Sequence, residues 1–195
     1  MSATQPSYTA FDGPRRLTRG ALAQVAVALR RASEAPDAGA EGPLLLFDDA
    51  TGRPIDIDLR GTEAEIAARF VSGAPQPPRG RGRPSLGVTA REVTLLPRHW
   101  DWLAGQPGGA SAALRRLVEQ AQRASGAADR RRRARDAAYA FMSAMAGDLP
   151  GFEEASRALF AGDRPRFEAL IKGWPADVRE YVQGLAAPSF VPSSS

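Results

Sequence analysis

The 195-residue sequence contains no cysteine, one histidine and one lysine. Without cysteine, a disulfide framework, a thiolate metal site and a cysteine nucleophile are all excluded. With His99 as the single imidazole, a histidine-rich metal cluster is excluded as well. The sequence has no apolar run near the ~20 residues that a membrane span needs, and its start, MSATQPSYTA, lacks a signal-peptide core. We therefore expect a cytoplasmic protein with no membrane partner, nucleoid-associated if it binds DNA.

Positive charge is concentrated in the middle of the chain. Residues 76–135 carry 13 arginines against four acidic residues, a local net charge of +9, whereas the whole chain has a net charge of +4. Both flanks are therefore mildly acidic. A GC-rich genome explains the choice of arginine over lysine, but it does not explain the clustering. A basic block between acidic flanks indicates a polyanionic partner.

The first 72 residues predict a small α+β domain with the element order βαββα. Residues 8–11 alternate weakly, as an edge strand does, and residues 19–33 have apolar side chains at helical spacing. The segment PLLLFDDATGRPIDIDL has two strand patterns around a tight turn, which predicts a hairpin. Thr62 followed by Glu65 has the spacing of a capping box, so a short helix is expected there.

Residues 73–88 are dense in proline and glycine and show no apolar periodicity, which predicts a flexible basic arm. Arg79, Arg81 and Arg83 supply its charge. The sequence RGRP within it resembles the AT-hook core, in which a glycine between two arginines lets the backbone lie in a narrow minor groove. An arm directly before a major-groove element can reach the adjacent minor groove.

Residues 89–124 predict a strand followed by two helices. Pro97 is placed where a helix begins, because the first helical position tolerates a missing N–H. The sequence QPGGAS ends that helix, and Ser111 is predicted to cap the next one. Arg115 and Arg116 lie on the outward side of the second helix. Its inward side has apolar residues at helical spacing, namely Leu114, Leu117, Val118 and Ala121.

This segment resembles the ribbon-helix-helix family of DNA-binding proteins over about residues 91–123. The strand, the LLP junction, the glycine-containing turn and the second helix carry the resemblance. One copy cannot bury its apolar faces, whereas two copies can pair their strands. The resemblance implies a homodimer whose paired strands enter the major groove of double-stranded DNA. It also implies that the second helix holds a phosphate at Gly109 and Ser111, with Arg115 and Arg116 nearby.

The strand register has two solutions. If Val93 and Leu95 face the core, then Glu92 and Thr94 face the groove, and this is the preferred register. The doubled leucine of LLP leaves open the other register, in which Arg91, Val93 and Leu95 face the groove and Glu92 is buried. A different alternative is an ordinary helical hairpin inside a larger core.

Residues 125–187 are expected to form further helices, broken at Gly162-Asp163 and at Gly173-Trp174-Pro175, and residues 188–195 a disordered tail. The run DRRRRARD, residues 129–136, spreads its arginines around a helix. A solvated face or linker is the preferred interpretation, and a further phosphate contact is the alternative.

Nothing in the sequence indicates catalysis, so we expect no enzyme activity and no cofactor. Asp48, Asp49, Asp56 and Asp58 are the conspicuous carboxylates. Two of them alternate with apolar residues on a solvated strand face, and the other two adjoin a turn where aspartate bonds locally. We expect His99 on a helix surface and the three tryptophans as core or interface anchors.

The blocks TAFDG, LLLFDDATGRPIDIDLRG and REVTLLPRHWDWLAGQPGGASAALRRLVEQA, in that order, resemble a bacterial family of uncharacterised function. That resemblance spans nearly the whole chain and implies no activity. The central segment therefore carries the functional hypothesis, which is sequence-dependent DNA binding by a dimeric bacterial transcriptional regulator. The alternative is a protein-interaction module whose basic arm binds RNA or another anionic partner without sequence specificity.

Overall fold

A computed structural model of the protein describes residues 6–34, 42–71 and 91–191. These residues form two compact units, one from the N-terminal ranges together with residues 128–191, and the other from residues 91–127. The described strands are β1 (Tyr8–Asp12), β2 (Arg15–Gly20) and β3 (Leu44–Asp48). The described α-helices are α1 (Leu22–Glu34), α2 (Glu63–Val71), α3 (Pro97–Ala104), α4 (Gly109–Met145), α5 (Phe152–Ala161), α6 (Arg164–Leu170) and α7 (Ala176–Ala186).

The three strands form an antiparallel sheet in the order β2-β1-β3, with β1 in the centre. Gly13, at φ 52°, turns the chain between β1 and β2. Because successive side chains of a strand point to opposite faces, Ala10 and Leu46 pack against α1, whereas Phe11 and Phe47 lie on the other face. Both faces of the sheet are therefore covered.

The second face of the sheet packs against helices from the C-terminal half of the chain. The rings of Phe11 and Phe141 (α4) lie 5.5 Å apart, and those of Phe141 and Tyr181 (α7) lie 4.5 Å apart. The N-terminal and C-terminal segments, which the sequence analysis treated as separate units, thus share one hydrophobic core. Helix α4 runs without interruption through the expected boundary at residue 124.

The predicted element order is wrong, because the observed order is ββαβα. The segment Arg15–Gly20 forms the edge strand β2 rather than the start of a helix. This strand lacks the alternation of apolar and polar residues that predicts a strand, because it is an edge strand with charged side chains that face water. Helix α1 accordingly begins at Leu22, and its predicted apolar residues Val25 and Leu29 are buried as expected.

The second strand of the predicted hairpin is reduced to one bridge, between Phe47 and Pro54. Proline has no N–H to continue a ladder. Farther along, the carbonyl oxygens of Asp58 and Arg60 accept hydrogen bonds of 2.6 and 3.1 Å from the Arg69 guanidinium instead. The predicted alternation is nevertheless confirmed, because the apolar side chains at 55, 57 and 59 pack against the α1 cluster while those at 56 and 58 are exposed.

Local signals placed several helix ends correctly. Thr62 and Glu65 form the predicted capping box, in which the Thr62 N–H donates to Glu65 Oε2 at 2.8 Å and the Glu65 N–H donates to Thr62 Oγ1 at 3.3 Å. Gly162 ends α5 at φ 73°, and Asp163 caps α6. Trp174 is buried and donates a 3.0 Å hydrogen bond to the Pro150 carbonyl, as expected of a core anchor.

The expected disordered tail is wrong for residues 188–191. Residues 187–190 form a short 3-10 helix after α7. Phe190 packs against Phe167 with ring centroids 5.6 Å apart, and Ser189 Oγ donates to the Ala186 carbonyl at 2.6 Å. An apolar contact with the core orders this segment, and residues 192–195 lie outside the described part of the chain.

Candidate nucleic-acid interface

The unit of residues 91–127 contains α3 and the first half of α4. Pro97 is the first residue of α3, as predicted, and Leu96 before it is extended. Gly108 and Gly109 have φ values of 81° and 74°, which only glycine adopts readily. They turn the chain into α4, which begins at Gly109, three residues before the start that a cap at Ser111 predicts. The predicted cap at Ser111 is therefore wrong, because Ser111 lies inside the first turn of α4.

The strand predicted before α3 is not part of the single-chain fold. Residues 91–96 have no regular secondary structure. Val93 is 55% exposed, whereas Leu95 is half-buried. Among the described residues, no strand pairs with this segment. The strand register stays a prediction.

The apolar side of this unit is largely uncovered. Leu103 is 3% exposed and Ala113 is fully buried, whereas Trp102 is 53% exposed and Val118 is also 53% exposed. A shallow groove of about 260 Å³ lies on this side. Its walls are Leu95, His99, Trp102, Leu103, Leu114 and Leu117. His99 is exposed on the surface of α3, as expected, and the tryptophans of α3 are not core anchors within one chain.

Four of the five described arginines in this unit are exposed and have no ion-pair partner among the described residues. Within the described residues, the guanidinium groups of Arg91, Arg98, Arg115 and Arg116 make neither an ion pair nor a hydrogen bond. Arg123 differs, because it lies 3.8 Å from Glu119. Sequence reasoning missed Arg98, although its place in the first turn of α3 follows from Pro97.

The other predicted contact residues are distributed as follows. Glu92 and Thr94 are exposed in the segment before α3, and Ser111 is exposed in the first turn of α4. Gly109 is half-buried at the helix start, where its N–H donates to the Gln106 carbonyl at 2.9 Å. Arg79, Arg81 and Arg83 lie outside the described residues.

Among the carboxylates, Asp49 departs furthest from expectation. Asp48 bonds locally, because its Oδ1 accepts from the Ala50 N–H at 2.8 Å. Asp49 instead accepts from the Thr9 hydroxyl, the Arg19 Nε and the Tyr181 hydroxyl, each at 2.7 Å. Those partners are distant in sequence, so no local signal could have found them. In the described ranges, no group of three or more acidic, histidine or cysteine side chains is placed to hold a metal ion.

No helix among the described residues is long and apolar enough to cross a membrane. Residues 7–186 match a family described as an uncharacterized protein conserved in bacteria (DUF2239), and the chain belongs to this family. No curated protein and no solved structure matches the chain.

Proposed function

We propose that this chain binds double-stranded DNA through residues 91–127 and the basic arm that precedes them. The observation that carries the proposal is the set of four exposed arginines that have no partner within the described residues, Arg91, Arg98, Arg115 and Arg116. Guanidinium groups that make no internal ion pair are available to phosphate oxygens, which they bind in a bidentate manner. Arg79, Arg81 and Arg83 add three charges directly before this unit.

The residues have different roles in this proposal. Arg115 and Arg116 hold phosphates beside the first turn of α4, where the N–H groups that follow Gly109, including that of Ser111, favour an anion. Arg91 or Thr94 contacts base edges according to the register, and Glu92 accepts from cytosine N4 in the preferred register. Arg81 and Arg83 follow the minor groove.

A second copy of the chain completes the unit. Val93, Leu96, Trp102, Leu117 and Val118 are all exposed in one chain. Exposed apolar patches of this kind mark interaction surfaces. Pairing of two segments at residues 91–96 would cover the apolar side and present the opposite side to the duplex. This arrangement would suit a homodimeric transcriptional regulator.

The contact residues are tested by fluorescence anisotropy with a labelled duplex. We expect Arg115→Ala with Arg116→Ala to weaken binding by about tenfold or more and to reduce the slope of log affinity against log salt by about two. The control is Arg157→Ala, because Arg157 is also exposed but lies on α5 and pairs with Glu154. Equal losses in the two proteins would refute the assigned phosphate contacts.

The arm is tested separately by its groove preference. Arg81→Ala with Arg83→Ala should weaken binding to an A·T-rich duplex more than to a G·C-rich duplex, because the narrow minor groove attracts arginine. The same loss on both duplexes would remove the minor-groove role.

The alternative function is a protein-interaction module whose basic arm binds RNA or another anionic partner without sequence specificity. The groove beside Trp102 supports it, since an open apolar groove also suits a peptide helix. Selection from a random duplex pool separates the two functions. A two-fold-symmetric consensus supports the dimeric DNA reader, whereas no enrichment supports the interaction module.

A further inference from the structure

A second arginine-lined feature lies in the other unit, apart from the proposed DNA-binding residues. It is a cleft of about 620 Å³ bordered by β2, the turn after β3, the second half of α4, and α7. Known small-molecule sites commonly have volumes in this range. All its lining residues belong to the same compact unit.

Four arginines line this cleft. Arg16 and Arg19 come from β2, and Arg130 and Arg133 come from α4. The two helix residues are three positions apart, so they lie on the same face. Within the described residues, Arg130 makes no ion pair or hydrogen bond, and Arg133 uses only its Nε, which donates to the Asp129 carbonyl at 3.2 Å.

The carboxylates of the cleft offset only part of this charge. Asp49 is nearly buried at its base, with a side chain 7% exposed, and three donors already occupy its oxygens. Arg19 gives Asp49 only its Nε, so both terminal amino groups of Arg19 remain available among the described residues. Glu180, at the rim, is 68% exposed and pairs with Arg16 at 3.1 Å. A surface pair of this kind contributes little and exchanges easily for a better anion.

The Asp49 carboxylate at the base of the cleft orients Arg19 through one hydrogen bond. Burial alone would raise the pKa of Asp49, but hydrogen bonds from Tyr181, Thr9, Ser7 and Arg19 outweigh it and lower that pKa below its ordinary value. Asp49 is therefore ionised at neutral pH and keeps the Arg19 guanidinium oriented. A preorganised guanidinium loses less entropy when it binds an anion.

The α7 side of the cleft is open at Gly184. A Cβ added to Gly184 would meet no atom within 4 Å. Glycine inside a helix is destabilising by roughly 0.5–1 kcal/mol relative to alanine, so it does not serve the helix itself. Ala137, Leu185 and Pro188 add apolar surface beside the arginines.

We propose that this cleft binds a small phosphorylated compound, whose phosphate lies among Arg19, Arg130 and Arg133. Four guanidinium groups against two carboxylates leave two positive charges, which match the charge of a phosphate monoester. The planar donors of arginine fit phosphate oxygens bidentately. The apolar surface would contact the organic part of the compound. This inference does not rest on DNA binding, because none of its residues lies between 91 and 127.

Isothermal titration calorimetry with inorganic phosphate tests the proposal on the full-length chain, in sodium chloride buffers of matched ionic strength. The wild type should bind, and Arg130→Ala with Arg133→Ala should bind about tenfold or more weakly, because charge-assisted hydrogen bonds are lost. The matched control is Arg132→Ala, since Arg132 lies on the same helix, pairs with Asp129 and does not line the cleft. No binding by the wild type, or equal binding by the double variant, would overturn the proposal.

Two substitutions at Gly184 test the cleft by side-chain size without changing its charge. Gly184→Phe should fill the cleft and abolish the heat of binding, whereas Gly184→Ala should retain it, since there is room for a Cβ. Thermal unfolding without ligand verifies that each variant is folded. Undiminished binding by a folded Gly184→Phe protein would place the anion elsewhere and reject the cleft.

Discussion

The hydroxyl of Tyr181 donates a 2.7 Å hydrogen bond to Oδ1 of Asp49, a residue 132 positions earlier in the chain. The same carboxylate oxygen accepts from the Thr9 hydroxyl at 2.7 Å. Burial, and then the hydrogen bond to Asp49, raise the pKa of Tyr181 above its ordinary value, so Tyr181 remains a donor at neutral pH. This hydrogen bond connects α7 to the turn that follows β3 of the N-terminal sheet.

We expect Tyr181→Phe to lower the free energy of unfolding by about 1–3 kcal/mol, because it removes a hydrogen bond to a buried charge. The phenylalanine ring would keep the contacts that Tyr181 makes with Phe11 and Phe141. The decrease in stability therefore measures the contribution of the hydroxyl group alone. Urea denaturation measures the difference. Tyr139→Phe is the control, since Tyr139 is 40% exposed and should change stability little. Similar losses in the two variants would mean that the Asp49 bond contributes no stability.

The lowered pKa of Asp49 predicts acid sensitivity. A carboxyl whose folded pKa lies below its unfolded value, about 3.9, stabilises the protein above that value and loses this contribution as the pH falls through the folded pKa. Asp58, Glu63 and Glu65 also have lowered pKa values and titrate in the same direction. The comparison with Asp49→Asn therefore isolates one group.

In urea denaturation between about pH 6 and pH 3, the stability difference between wild type and Asp49→Asn should shrink as the pH falls. The groups that face Asp49 are Arg19, Tyr181, Thr9 and Ser7, and none of them changes charge in this range. A constant difference across the range would show that ionisation of Asp49 does not stabilise the fold.

Substitution of Gly52 and of Gly184 by alanine should change the free energy of unfolding differently. Gly52 has φ 63°, and a Cβ there would overlap the carbonyl oxygen of Ala137 on α4. We expect Gly52→Ala to cost about 3 kcal/mol or more, because a left-handed backbone conformation and a clash with rigid backbone combine. Gly184→Ala should be neutral or stabilise by up to about 1 kcal/mol, since the added methyl meets no atom. Equal effects would contradict the close packing of the turn after β3 against α4.

The proposed dimer predicts a specific effect of a charge at Val93. This side chain is 55% exposed in one chain, so Val93→Asp should leave the monomer folded. In the preferred register the substitution would bury an unpaired carboxylate on the apolar side of the two paired strands. The cost of that burial should prevent dimerisation. Sedimentation of wild type, Val93→Asp and the control Thr94→Asp measures this, because Thr94 points away from the core in that register. A stable dimer of Val93→Asp would reject the register.

Helix ends and strand faces followed from the sequence because their causes are local. Pro97 opens α3, Thr62 and Glu65 cap α2, and Gly162 ends α5, each through its own backbone or through neighbours within three residues. The alternation over residues 55–59 was also correct, because one face of that segment contacts the core whether or not it forms a ladder.

The sequence by itself determined these helix ends and this strand alternation, the absence of cysteine chemistry and the central concentration of arginine. Only the tertiary structure decided the rest. The charged segment Arg15–Gly20 forms β2 only in the tertiary structure. The N-terminal sheet and the C-terminal helices share one aromatic core, and the partners of Asp49 lie 30 to 132 positions away. The tertiary structure also brings arginines of β2 and α4 to one cleft. Spacing along a chain reports on residues within a turn or two, whereas these contacts depend on how distant segments pack.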